Sequence, residues 1–234
     1  MKDSISIISD LVTETEFLIT EDKLELVAMD PANVAMVIFR MDSDLFAEYD
    51  VEDQTKLAIN LANFKKVLKR TKSDDVLTLE VVENKLKIEM KGKNSRTFSL
   101  PLINLEEREQ EIPDLDAKTI INMPSSTFND AVEDVDIIGE SVMLKSADNK
   151  LTVSAEGDLT SAEVFVNEDE DVDIQTEDEQ TSKYSIEYLK RMIKGSKLAD
   201  NVRLEYSTDY PLILEYKEED IQLKFILAPR VDNT

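Results

Sequence analysis

Short runs of Val, Ile, Leu, Phe and Thr alternate with polar residues every 8 to 12 positions along much of the chain, as at 56–60, 76–82, 86–90 and 96–100. Period-two alternation sends every second side chain to one face, so these runs predict antiparallel strands with one face buried. Four segments, 2–12, 61–72, 124–136 and 185–196, instead carry apolar residues at helical spacing. In the second, Leu61, Phe64, Leu68 and Thr71 form the inward stripe; in the fourth, Ile186, Leu189, Met192, Ile193 and Ser196 do. Many strands with two helices in each half of the chain make an α+β pattern.

The two halves repeat one unit. At an offset of 125, residues 60–80 (NLANFKKVLKRTKSDDVLTLE) lie over 185–205 (SIEYLKRMIKGSKLADNVRLE) without a gap. LKIEMK at 86–91 resembles LILEYK at 212–217, Phe98 and Leu100 match Phe225 and Leu227, and DKLEL at 22–26 matches NKLTV at 149–153. Between the halves, INLEEREQEIPDLDA at 103–117 has the charge density and proline of a connecting loop. The expected organisation is a first domain over 1–102, a connecting loop over 103–117 and a second domain over 118–234. The second half opens with a strand at 118–123 whose first-half equivalent falls ahead of residue 1. Either that strand was lost, leaving a gap in the sheet, or Met1 is an internal methionine, the reading favoured here.

Composition removes most enzyme chemistries. With no Cys and no His, disulfides, thiolate nucleophiles, Cys/His zinc sites and imidazole acid–base catalysis are unavailable. Four glycines, Gly92, Gly139, Gly157 and Gly195, cannot write a phosphate-cradling loop. No apolar run is long enough to span a bilayer and the N-terminus lacks a signal-peptide pattern, so the chain is read as soluble, intracellular and cytoplasmic, without a membrane.

The formal charge of -24 repels phosphate at long range unless the cations are gathered. Nine of the 27 basic residues are: Lys65, Lys66, Lys69, Arg70 and Lys72 in one helix window, and Lys190, Arg191, Lys194 and Lys197 at the same place of the repeat. Lys2 is the sole basic residue of the first helix. A lysine-rich face is ordinarily just solvated, but its duplication in so acidic a chain points to polyanion contact. No aromatic or amide array accompanies these cations, so the expected contact is with phosphates, independent of base sequence and weakened by salt. Retention on DNA would then need topology.

LVAMDPANVAMVIF at 26–39, NMPSSTF at 122–128 and FILAPRV at 225–231, together with the repeat, resemble the proliferating cell nuclear antigen family of DNA sliding clamps, archaeal members above all. The resemblance implies a non-catalytic clamp fold: two repeated domains, each a many-stranded antiparallel sheet with two helices, joined edge to edge as a homotrimer, or with paralogues, into a closed ring around double-stranded DNA. It implies no cofactor and no metal. Replicative DNA polymerase, clamp loader, flap endonuclease and DNA ligase would dock in an interdomain groove mapped onto Met29, Asn33, Val34, Met36, Ile112, Pro113, Leu115, Pro211, Ile226, Ala228, Pro229 and Arg230. The subunit edge near 93–102, with Lys93, Arg96 and Phe98, would pair with a neighbour's 161–167 edge, bringing in Asp158, Glu163 and Val164. One departure is the helix at 124–136, which carries Asp130, Glu133, Asp134 and Asp136 and no cation where the family offers positive charge.

Two other classes compete. An acidic divalent-cation-binding protein could use the runs at 106–111 and 167–179, although neither has the order of a calcium loop. A hydrolase with paired carboxylates is the other, but with 51 acids any pair arises by chance.

Overall fold

The computed structural model describes residues 1–105 and 110–231. The first half runs α1 (Lys2–Ile8), β1 (Glu14–Ile19), β2 (Lys23–Met29), β3 (Ala35–Asp42), β4 (Thr55–Asn60), α2 (Leu61–Leu68), β5 (Val76–Val82), β6 (Lys85–Lys91) and β7 (Ser95–Pro101). The second runs β8 (Thr119–Pro124), α3 (Ser125–Asp136), β9 (Ser141–Ala147), β10 (Lys150–Glu156), β11 (Ser161–Asn167), β12 (Asp173–Thr176), β13 (Gln180–Ser185), α4 (Ile186–Met192), β14 (Asn201–Tyr206), β15 (Leu212–Glu218) and β16 (Ile221–Leu227).

The helices fall where the spacing predicts, but three are shorter. The α2 helix starts at Asn60, whose side chain accepts from the Asn63 amide, and ends when the Arg70 and Thr71 amides turn back to the Val67 and Leu68 carbonyls. Such three-residue bonds tighten a final turn into 3-10 geometry. Similarly, α4 passes into a 3-10 turn over Ile193–Lys197, and the Asp10 amide bonds the Ile7 carbonyl after α1. Gly195 in the α4 extension lies flat against the buried Tyr216 ring, where a Cβ would overlap it.

Three antiparallel sheets form, with orders β12-β8-β14-β15-β16-β3-β2-β1-β4, β11-β10-β9-β13 and β5-β6-β7. The first crosses between the halves through β16 and β3, paired from Ile221↔Met41 to Leu227↔Ala35. The helices make one layer: α1 touches α2, the turn after α4 touches α1 and α3, and α3 touches α4. Between this layer and the sheets lies one continuous core, from Ile5 and Phe64 to Phe128, Leu189 and Tyr216.

One strand breaks the symmetry. In the second half β8 covers β14, burying Thr119, Ile121 and Met123 and pairing Tyr206↔Thr119, Leu204↔Ile121 and Val202↔Met123. The equivalent strand β5 ends its three-stranded sheet, with no neighbour on that side among the described residues. Val81, at the repeat position of the fully buried Tyr206, is 45% exposed. Behind it a cavity of about 90 Å³ opens between Met1, Ile5, Phe17, Leu79, Val81 and Leu86. Among the described residues β5 is therefore an uncovered sheet edge.

Candidate nucleic-acid interface and partner groove

The basic residues sort into two groups. Lys2, Lys66, Lys69, Arg70, Lys72 and Lys197 stand exposed on the helix layer, and Lys66, Lys69 and Lys197 make no ion pair among the described residues. The others are engaged. Lys65 reaches Asp10 at 2.8 Å, Lys194 reaches the same carboxylate at 2.7 Å, and Lys190 reaches Asp136 at 2.6 Å. Arg191 pairs with Glu187, stacks over the Tyr188 ring at 5.5 Å and donates to the Asp10 carbonyl at 3.2 Å. Burial alone would push the Asp10 carboxyl up; hydrogen bonds from Lys194 and Lys65 outweigh it and hold the group below the usual carboxylate range. On α3, Asp130, Glu133 and Asp134 are exposed, so acid and base share the helix layer unevenly.

The opposite face of the nine-stranded sheet carries a second apolar cluster, separate from the main core. Met36, Ile38, Ile213 and Ile226 form it, with Val27, Met29 and Leu115 packed around. Register explains the grouping: Ile226 faces both Met36 and Ile213, and Val27 faces Ile38. Glu25, clamped by Lys23 and Arg40, stands on this face beside Val27. Next to the cluster a groove of about 790 Å³ runs under the connecting segment, lined by Met29, Asn33, Leu105, Gln110 and Glu111 with Glu14, Glu16 and Glu25.

The loop that shapes this groove is set by Asp30. One carboxylate oxygen accepts from the Val34 and Ala35 amides at 2.7 Å each, and the other from the Ala32 amide at 3.1 Å and the Tyr188 hydroxyl at 2.6 Å. Burial tends to raise the Asp30 carboxyl, but these bonds, Tyr188's foremost, leave it lowered. Burial and Asp30 together push the Tyr188 phenol up to about 12. Asn33, in the left-handed region with φ of 56°, completes the turn.

Family models now agree with this geometry from residue 1 to 231: the N-terminal domain of proliferating cell nuclear antigen matches residues 1–110, and its C-terminal domain matches 111–231. The chain belongs to the proliferating cell nuclear antigen family. The DNA polymerase sliding clamp of Nanoarchaeum equitans is 37% identical over 99% of this chain and 96% of its own. That of Thermococcus gammatolerans is 37% identical over 98% and 94%. A crystal structure of the family protein from Thermococcus kodakaraensis superposes with a TM-score of 0.91 at 29% identity, covering 98% of this chain and 95% of that one.

For this family member the structure brings together only part of the expected groove. Met29, Met36, Leu115 and Ile226 meet on the outer face, whereas Val34 packs against the main core. Ile112 and Pro113 are exposed, with Ile112 at 48%, and Pro211, Ala228 and Pro229 are half-buried. The tail is tied down: the Ala228 amide bonds the Val34 carbonyl at 2.9 Å, the Arg230 amide the Lys183 carbonyl at 2.7 Å, and the Arg230 guanidinium Ser141 at 2.6 Å. Sequence reasoning missed Val27, Ile38 and Ile213. The available signal was the unbroken apolar runs 26–29, 35–39 and 212–214, because a strand apolar at consecutive positions is covered on both faces.

On the free edges β7 and β11, Glu163 is exposed and Phe98 and Val164 are half-buried, and Lys93 and Asp158 are exposed in the turns before those strands. Arg96, expected to meet an acid on a neighbour, is engaged within its own chain, by Asp75 and by the Arg70 carbonyl at 2.8 Å. Among the described residues no group of three or more acids converges as metal ligands. Most of the acidic run at 106–111 lies outside the described residues.

Proposed function

We propose that the chain is a DNA sliding clamp that closes into a ring around duplex DNA and holds replication enzymes to it without catalysing a reaction. The observation that carries this is a joint used once and available again. Within the chain β16 pairs with β3; their repeat equivalents, β7 and β11, are both unpaired edges. Moving the observed register by 126 positions pairs Ser95 with Asn167 and Pro101 with Ser161, the ends of both strands. In that register Phe98 faces Val164 of the next copy, so the half-buried apolar residues of the two edges cover each other. Alternating in-chain and between-chain joints of one geometry are heterologous contacts, which close into a ring when the rotation per joint divides a full turn; the three copies proposed are those of the family resemblance. The helix layer, with its free lysines, then lines the hole. Sequence-independent phosphate contact there would be weak and salt-sensitive, and the ring would provide retention.

The outer cluster around Met36, Ile38, Ile213 and Ile226 is an apolar anchor site suited to a short amphipathic segment. Polymerase, clamp loader, flap endonuclease and ligase are the partner classes it would serve. The test is the absolute mass by light scattering at physiological salt, joined to processive primer extension. Three copies of the 26.6 kDa chain and longer extension products are expected. A monomer at micromolar concentration that leaves extension unchanged would overturn the reading.

A further inference from the structure

The engaged cations of the helix layer follow a rule that repeats with the fold. Lys65 and Lys190 occupy the same repeat position, and each is held by an aspartate at the C-terminal end of the first helix of its own half, Asp10 after α1 and Asp136 in α3. A carboxylate at a helix C-terminus opposes the helix dipole, so the placement is locally unfavourable and is offset by the cation that meets it. Asp10 goes further and bridges the halves. Its carboxylate takes Lys65 from α2 and Lys194 from the turn after α4, with side-chain exposures of 20% for Lys65, 28% for Asp10 and 45% for Lys194. Its carbonyl takes Arg191, and Lys65 also donates to the Ser6 carbonyl at 3.0 Å. Cations from both domains thus converge on one residue at their junction.

We infer that Asp10 is a cross-domain brace that withholds Lys65 and Lys194 from phosphate, with Asp136 withholding Lys190 in the same way. This rests on the helix layer facing DNA, as proposed above. Duplex contact then falls to Lys2, Lys66, Lys69, Arg70, Lys72 and Lys197, and the strength of the clamp's grip is limited by acids built into the lining. A clamp that must slide gains from a lining whose phosphate contacts are few. Asp10 is a positioning residue in this scheme, acting through the lysines that it holds.

The experiment measures binding of the full-length chain to a short blunt duplex by fluorescence anisotropy across a salt series. Each freed phosphate contact steepens the slope of log affinity against log salt by about 0.9. Asp10→Asn, which keeps the shape and removes the charge, is expected to steepen it by about 1 to 2, and Asp10→Glu to restore the wild-type slope. Asp136→Asn, at an exposed pair that does not threaten folding, is expected to steepen it by about 1 and serves if Asp10→Asn does not fold. An unchanged or shallower slope in both asparagine variants overturns the inference. The triple variant Lys66→Met, Lys69→Met, Lys197→Met separates the two levels: if it flattens the slope while the asparagine variants leave it unmoved, the brace is wrong and the DNA-facing layer stands. If it too leaves the slope unmoved, the DNA-facing layer falls as well.

Discussion

Tyr188→Phe removes one hydroxyl and tests whether Asp30 joins the groove loop to the helix layer. The hydroxyl donates at 2.6 Å to a carboxylate oxygen whose only other donor among the described residues is the Ala32 amide at 3.1 Å. Hydrogen bonds to charged groups contribute about 1.5 to 3 kcal/mol. Tyr188 is half-exposed, so water replaces part of the loss, and about 1.5 kcal/mol of destabilisation is expected. For a chain of this size that is a fall in Tm of roughly 3 to 6 °C. Asp30→Asn should cost more, because one oxygen can still serve the Val34 and Ala35 amides while the new NH2 meets the donors of Ala32 and Tyr188. Thermal unfolding of both single variants and the double variant, at one protein concentration, gives the coupling, expected at about 1 to 2 kcal/mol. The acid limb adds a signed check. The folded Asp30 carboxyl is depressed, so its stabilisation is present above the unfolded value and is lost as pH falls through the lower folded value. Without the Tyr188 bond the folded value lies nearer the unfolded one, so less stability is lost on acidification. A coupling below about 0.3 kcal/mol, within the additivity of independent sites, would refute the joint role of the pair.

Met36→Ala with Ile226→Ala removes two anchors of the outer cluster and should lower the affinity of a partner-derived peptide more than tenfold by calorimetry, with the trimer intact; unchanged affinity would move the docking site elsewhere. Val164→Glu places a charge opposite Phe98 in the inferred subunit joint and should yield monomers by light scattering, whereas a persisting trimer would exclude that register. Gly195→Ala forces a methyl onto the buried Tyr216 ring and should cost about 3 kcal/mol, read as a lowered denaturant midpoint. Adding a copy of residues 118–123 (KTIINM) ahead of Met1 should fill the cavity of about 90 Å³ beside β5. At about 24 cal/mol per Å³ that is roughly 2 kcal/mol before the entropy of ordering the strand, so a higher Tm is expected.

What the sequence disclosed, and what it concealed, divides by the range of the physics. The repeat, the strands and the helix stripes are written in local periodicity, and the exposed edge of β5 follows by subtracting one half from the other. The outer cluster was half legible. Met29, Met36 and Ile226 stand in recognisable motifs, but Ile38 and Ile213 sit in runs apolar on both faces, where alternation no longer marks which residues point outward. Charge pairing was not legible at all. Lys65 and Asp10 are 55 positions apart and Lys194 and Asp10 are 184 apart. In a chain with 51 acids, every lysine has many candidate partners and no periodicity to choose among them. Counting cations on the helices therefore overstates the charge left free there: Lys65, Lys190 and Lys194 are paired with acids within the helix layer, and Lys66, Lys69 and Lys197 stand on its exposed surface. A lysine at a repeat position reports the fold's symmetry first, and only its nearest carboxylate decides whether it also reports a binding surface.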